Sequence, residues 1–193
     1  MFTFHKDSLQ RGKRNFRNTI LMKNIRVLFL ILSCVFGFSQ ENHAVLNIVN
    51  MLEKTQDQIV ALAGEFNQEQ LGWRPSEGTR STGETIMHVA ASYYYIAMGL
   101  GYPTPEGVDI LNMEAVTEKQ KILQAFERSS SFICKKILEE NPADFLRIVD
   151  LGFDKMNRLS VLMTILQHTG EHKGQLITYA RSNGLAPPWS QSE

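Results

Sequence analysis

Cysteine is scarce in this chain. Only Cys34 and Cys134 occur in 193 residues, which excludes both a disulfide-stapled scaffold and a cysteine-rich metal site. Also missing is an apolar run of the roughly 20 residues that a membrane span requires; the longest candidate, Val27 to Phe38, is about a dozen. No strong segment alternates with period two, so no sheet is expected. Internal repeats and low-complexity tracts are absent. There is no excess of charge either: 20 basic residues face 20 acidic ones.

That balance is uneven along the chain. Residues 1–39 hold seven basic side chains, Lys6, Arg11, Lys13, Arg14, Arg17, Lys23 and Arg26, against Asp7 alone. The remainder therefore has 13 basic and 19 acidic residues and a formal charge of −6. An acidic body lacks the basic surface on which nucleic-acid affinity rests, so DNA and RNA are not expected partners.

From Met22 the sequence has the three-part layout of a secretory signal: Lys23 and Arg26, the apolar stretch to Phe38, then Ser39-Gln40 and a polar run. Gly37 and Ser39 suit the positions before a cut. The expectation is an exported protein, periplasmic in a bacterium with two membranes, with 22–39 as signal peptide and a mature domain at 40–193. No stable membrane span is expected after cleavage. Residues 1–21 then form an upstream extension, non-native or unstructured. A competing reading makes Ile31-Leu32-Ser33-Cys34 a lipoprotein signal anchored at Cys34. Cys134, among Phe132, Ile133 and Ile137, is expected to be a buried, inert thiol.

Four stretches of the mature chain repeat apolar residues at helical spacing. The first, Glu41 to Asn67, carries Val45, Ile48, Val49, Leu52, Ile59, Leu62 and Phe66. The second opens on a capping box, Ser81 and Glu84, and runs to about Leu100. The third, Thr117 to Glu140, carries Ile122, Phe126, Ile133 and Ile137 before Asn141-Pro142 stops it. The fourth, Asn157 to Ser182, closes on Asn183-Gly184. Four helices with one apolar face each bury those faces together as a bundle, so the fold class is all-α, a four-helix bundle. Periodicity does not fix their order or handedness.

Histidines interrupt this pattern. The apolar row of the fourth helix passes through Val161, Ile165, His168, His172, Gln175 and Tyr179. Four residues apart, His168 and His172 project from one side of the helix. On the second helix, His88 shares a row with Thr85, Ser92 and Tyr95, less apolar than the opposite row of Ile86, Val89, Tyr93 and Ala97. A metal pair and a pair of merely hydrogen-bonded rings both remain open on spacing alone. His5 and His43 lie outside the bundle centre. Glu84 is explained by its capping role, Glu171 is expected on the solvated face, and Gly174 is expected to admit a neighbouring helix.

Two segments carry a family resemblance: Leu71-Gly72-Trp73-Arg74-Pro75 with Ser81 to His88, and Gln167-His168-Thr169-Gly170-Glu171-His172-Lys173-Gly174-Gln175-Leu176. In these the chain resembles the DinB-like (DinB/YfiT-type) superfamily of bacterial helical bundles over about Glu41 to Pro188. The resemblance implies a four-helix bundle, often a homodimer, binding one divalent metal through His88, His168 and His172. Lys173 stands where an arginine is frequent. Imidazole ligands suit a transition metal, zinc or nickel foremost, rather than calcium or magnesium.

Some relatives are thiol-dependent transferases and others look like hydrolases. The expectation is therefore a metal-dependent hydrolase or transferase acting on a small molecule through a metal-activated water or thiol. Water is preferred outside the cytoplasm, where reduced thiol cofactors are scarce. Glu84, Ser92, Tyr95, Gln175 and Tyr179 are candidates for orienting a substrate, with no catalytic base nominated. The alternative is a non-catalytic bundle, metal-stabilised or metal-free.

Overall fold

The computed structural model describes residues 43–190; the expected signal segment, the upstream extension and Cys34 lie outside the described residues. Helix α1 spans 43–65 and α2 is the short Gln68–Gly72. The long helices α3, Thr82–Gly99, α4, Lys119–Leu138, and α5, Arg158–Ser182, follow. Together α1, α3, α4 and α5 form a four-helix bundle. Among the described residues no helix is long and apolar enough to cross a membrane.

Local chemistry sets the helix ends. Ser81 accepts from the Glu84 amide while the Glu84 carboxylate accepts from the Ser81 amide, and Asn67 and Gln70 do the same for α2. A cap of this kind is worth about 1 kcal/mol. At the other end of α5, the Leu185 amide donates to the Ala180 carbonyl and the Gly184 amide to Arg181. This closure requires a left-handed residue after the cap, and Gly184 supplies it at φ 74°.

The apolar rows meet in one core. Leu52, Ile59 and Leu62 of α1 and Phe66 just beyond its end are fully enclosed, as are Ile86, Val89 and Tyr93 of α3. Phe126, Ile133 and Ile137 of α4 and Val161, Leu162 and Ile165 of α5 complete it. Side-chain bonds give the neighbours. Gln56 of α1 accepts from Cys134 of α4, and Gln58 of α1 accepts from Lys173 of α5. Tyr93 of α3 meets Thr169 of α5 at 3.0 Å and packs its ring near Phe126 of α4. Helices α1 and α3 therefore each lie against both α4 and α5, at opposite corners of the bundle. Cys134 is buried, and burial pushes its thiol up to about 11.

The expectation of no sheet is corrected. Strands β1, Ile148–Asp150, and β2, Lys155–Asn157, form an antiparallel hairpin with Val149 opposite Met156. Each is three residues long, too short to display an alternation. Its turn holds Gly152 at φ 83°, whose amide donates to the Asp150 carboxylate. Leu151 packs so closely on Gly99 that a Cβ there would overlap it. Short helices also stand between the four predicted ones: α2 lies between the first and second, and a 3-10 segment, Ile110–Ala115, between the second and third.

Candidate metal centre

Helices α3 and α5 lie side by side, and the α3 row with His88 and Ser92 meets the α5 row with His168 and His172. This brings His88, His168 and His172, all partly buried, to one point. Nε2 of His168 lies 3.2 Å from Nε2 of His88 and 3.1 Å from Nε2 of His172. Donors bonded at about 2.0–2.1 Å around a tetrahedral ion stand roughly 3.3 Å apart, so the spacing fits a single transition-metal ion.

The opposite face of each ring decides its protonation. Nδ1 of His88 is 2.9 Å from Oε1 of Glu114, and an ionised carboxylate can only accept. Nδ1 of His172 is 2.8 Å from Oε1 of Gln175, whose amide nitrogen is committed to the Tyr179 hydroxyl at 2.6 Å. Nδ1 of His168 is 3.3 Å from the Ser92 oxygen, whose own hydrogen goes to the Val89 carbonyl. Each partner is an acceptor, so each ring carries its proton on Nδ1. Three Nε2 lone pairs then converge with no hydrogen between them. Such an arrangement repels itself unless a cation occupies the centre. These residues could hold a metal, and the donor set suits zinc, nickel, copper or iron.

Electrostatics point the same way. Burial, with the charges that His172, His88 and Arg80 would place nearby, pushes His168 down to about 4. Burial also lowers His88, against the opposing pull of Glu114. Partial burial works to raise Glu114, but Arg80 and His88 outweigh it and hold the carboxyl below its usual range. The Arg80 Nε donates to the other Glu114 oxygen at 2.8 Å, and the Arg80 carbonyl accepts from Tyr179 at 3.4 Å. Arg80 thus links the supports of His88 and His172.

The other expected residues divide. Ser92 and Gln175 hold rings, and Tyr179 holds Gln175 while its own ring packs edge-on against Trp73 at 5.4 Å. Glu84 is engaged by Ser81 and by Arg74 at 3.0 Å. Tyr95 donates to the Leu151 carbonyl and stacks on Phe153, so its hydroxyl belongs to the hairpin. Glu171 is exposed. Gly174 is exposed with open space where a Cβ would stand, so it admits no helix; Lys173 beside it makes the contact to α1. Glu114 is the residue that sequence reasoning missed, since it sits in a stretch expected to be loop.

Fold and donor set together define a helical bundle with a three-histidine site that could hold a cation. The chain belongs to the DinB superfamily, whose family model matches residues 51–176. Three solved structures share the fold. A DinB-like protein from Bacillus cereus is 21% identical with a TM-score of 0.59, the match covering 72% of this chain and 89% of that one. The DinB-like protein YjoA from Bacillus subtilis is 18% identical with a TM-score of 0.57, covering 72% and 92%. YfiT from Bacillus subtilis, described as a probable metal-dependent hydrolase with an unusual four-helix bundle topology, is 13% identical with a TM-score of 0.57, covering 74% and 89%. No curated protein matches the chain in sequence.

Proposed function

We propose that the protein is an exported metal-dependent enzyme, a hydrolase in its preferred form, with one divalent ion on His88, His168 and His172. The convergence of three Nε2 lone pairs, each fixed by an acceptor behind Nδ1, carries this reading. It agrees with the description of YfiT as a probable metal-dependent hydrolase. Zinc or nickel is the ion proposed.

When bound, the ion supplies a Lewis acid that makes a nucleophile of a water or a thiol at neutral pH. The chain does the rest. Glu114 and Gln175 hold the His88 and His172 tautomers and ring planes, and Ser92 steadies His168. Both Glu114 oxygens are engaged, one by His88 and one by Arg80, so this carboxylate orients rather than takes up protons. The rings are only partly buried, and the substrate proposed is a small molecule. Water is preferred over thiol as the nucleophile because the proposed compartment is oxidising. Assembly as a homodimer belongs to the same proposal.

A non-catalytic reading, in which the ion only clamps α3 to α5, draws on one observation: the Glu114 carboxylate against the rings is already bonded through one oxygen to His88 and through the other to Arg80. Elemental analysis of the purified protein, combined with turnover assays on ester, amide and lactone panels, separates the readings. The proposal expects one zinc or nickel per chain, lost in the His88→Ala, His168→Ala double variant together with turnover. Stoichiometric metal without turnover favours the clamp. Wild-type protein that binds no added metal ends both.

A further inference from the structure

On the side of α3 away from the histidines, a cavity of about 400 Å³ opens between α3, α4 and the 105–116 loop. Its size is in the range of small-molecule sites, roughly 300–1,000 Å³. Met87, Met113, Val116 and Phe132 give it apolar walls. Two polar groups stand out against them. Tyr94 is only 4% exposed, its ring packs on Phe132 at 5.1 Å, and among the described residues nothing accepts from or donates to its hydroxyl. Arg128, at the mouth, gives its Nε to the Gln124 carbonyl at 3.4 Å and has no carboxylate within ion-pair distance among the described residues.

The exposed Arg128 guanidinium and the hydroxyl end of the buried Tyr94 ring, neither held by a carboxylate among the described residues, stand together above an apolar floor. A guanidinium and a phenol both donate hydrogen bonds, and both suit a carboxylate. Burial raises the Tyr94 hydroxyl, against the nearby charge of Arg128, so it stays protonated and able to donate. Glu106 and Asp109 lie on the rim, and Asp109 already accepts from Asn112. Their charge disfavours a dianion and tolerates a head of one negative charge, alone or balanced by an ammonium.

We propose that this cavity binds a small monocarboxylate with an apolar body, amino-acid zwitterions included. The carboxylate lies between Arg128 and the Tyr94 hydroxyl, and the apolar part lies between Met87, Met113 and Phe132. The site is separate from the histidine cluster, although the 3-10 segment Ile110–Ala115 serves both. Met113 faces the cavity while Glu114 holds His88.

Titration calorimetry with 3-phenylpropionate tests this, with 3-phenylpropylamine as the size-matched cation. The expectation is saturable 1:1 binding of the acid and none of the amine. Arg128→Gln, a surface substitution, weakens the acid tenfold or more, as loss of a charge-assisted bond does; Tyr94→Phe weakens it severalfold. The His88→Ala, His168→Ala variant keeps full affinity, which separates this cavity from carboxylate binding at a metal. Absence of saturable heat, equal binding of the amine, indifference to Arg128→Gln, or loss of binding in the histidine variant would each overturn the proposal.

Discussion

A neutral imidazole nitrogen with its lone pair exposed is a poor neighbour for another, and His168 has two such neighbours within 3.2 Å. Protonating His168 does not relieve the crowding cheaply, because burial and the neighbouring positive charge hold its value near 4, below the ordinary 6.5. The direction of the consequence follows. Above pH 6.5 the ring is neutral whether the chain is folded or not, and stability is whole. As pH falls below 6.5 the unfolded chain takes up a proton that the folded one refuses, so stability declines until the folded ring also protonates near pH 4. His88, lowered first by burial, adds to the decline. The melting temperature of metal-free protein should therefore fall between pH 6.5 and 4, with a shallower fall in His168→Gln. Parallel profiles for the two proteins would place the sensitive group elsewhere. The His168–His172 pair was legible because a spacing of four fixes a common face. Glu114 was not, because it reaches His88 from a segment 26 residues downstream whose path depends on the packing of Met113.

Between elements, a buried ion pair ties helix ends together. Arg158 opens α5, and its guanidinium meets Glu140, just beyond α4, in a paired grip of 2.6 and 2.7 Å. It also donates to the Leu100 carbonyl at the end of α3. Glu140 takes a further bond from Tyr102, whose hydroxyl is pushed up to about 12 by burial first and then by that carboxylate. Three helix ends are thus tied at one point. The Glu140 side chain is fully enclosed and that of Arg158 is 10% exposed, so removing one partner strands the other away from water. Arg158→Met should cost about 3–5 kcal/mol of unfolding free energy, read from denaturant midpoints, and Arg158→Met with Glu140→Leu should recover most of it. A single variant costing under about 1 kcal/mol, the usual worth of a surface pair, would mean water reaches the site. None of this was visible in the sequence. Helical periodicity orders residues within an element, whereas Glu140 and Arg158 meet only because the β1–β2 hairpin folds the chain back between them.

For the molecule as a whole, the bundle was legible because each long helix shows its apolar row unaided. The corner positions were not, since a stripe records that a face is buried and not what buries it. The charge distribution leads to the last prediction. Seven of the 20 basic residues precede residue 40, and the acidic remainder coincides closely with the compact unit Ala44–Glu193. A cut near Gln40 would leave that unit whole, so export need not sacrifice any part of the core formed by Val45 onward. In its native host the protein should be found outside the cytoplasm with an N-terminus close to Gln40, as read by mass spectrometry of the intact chain. A mass placing a lipid on Cys34 would turn the exported protein into an anchored one and leave the metal proposal untouched. An N-terminus retaining Lys23 to Phe38 in the cytoplasmic fraction would remove the argument from an oxidising compartment, and with it the preference for water over a thiol as the nucleophile.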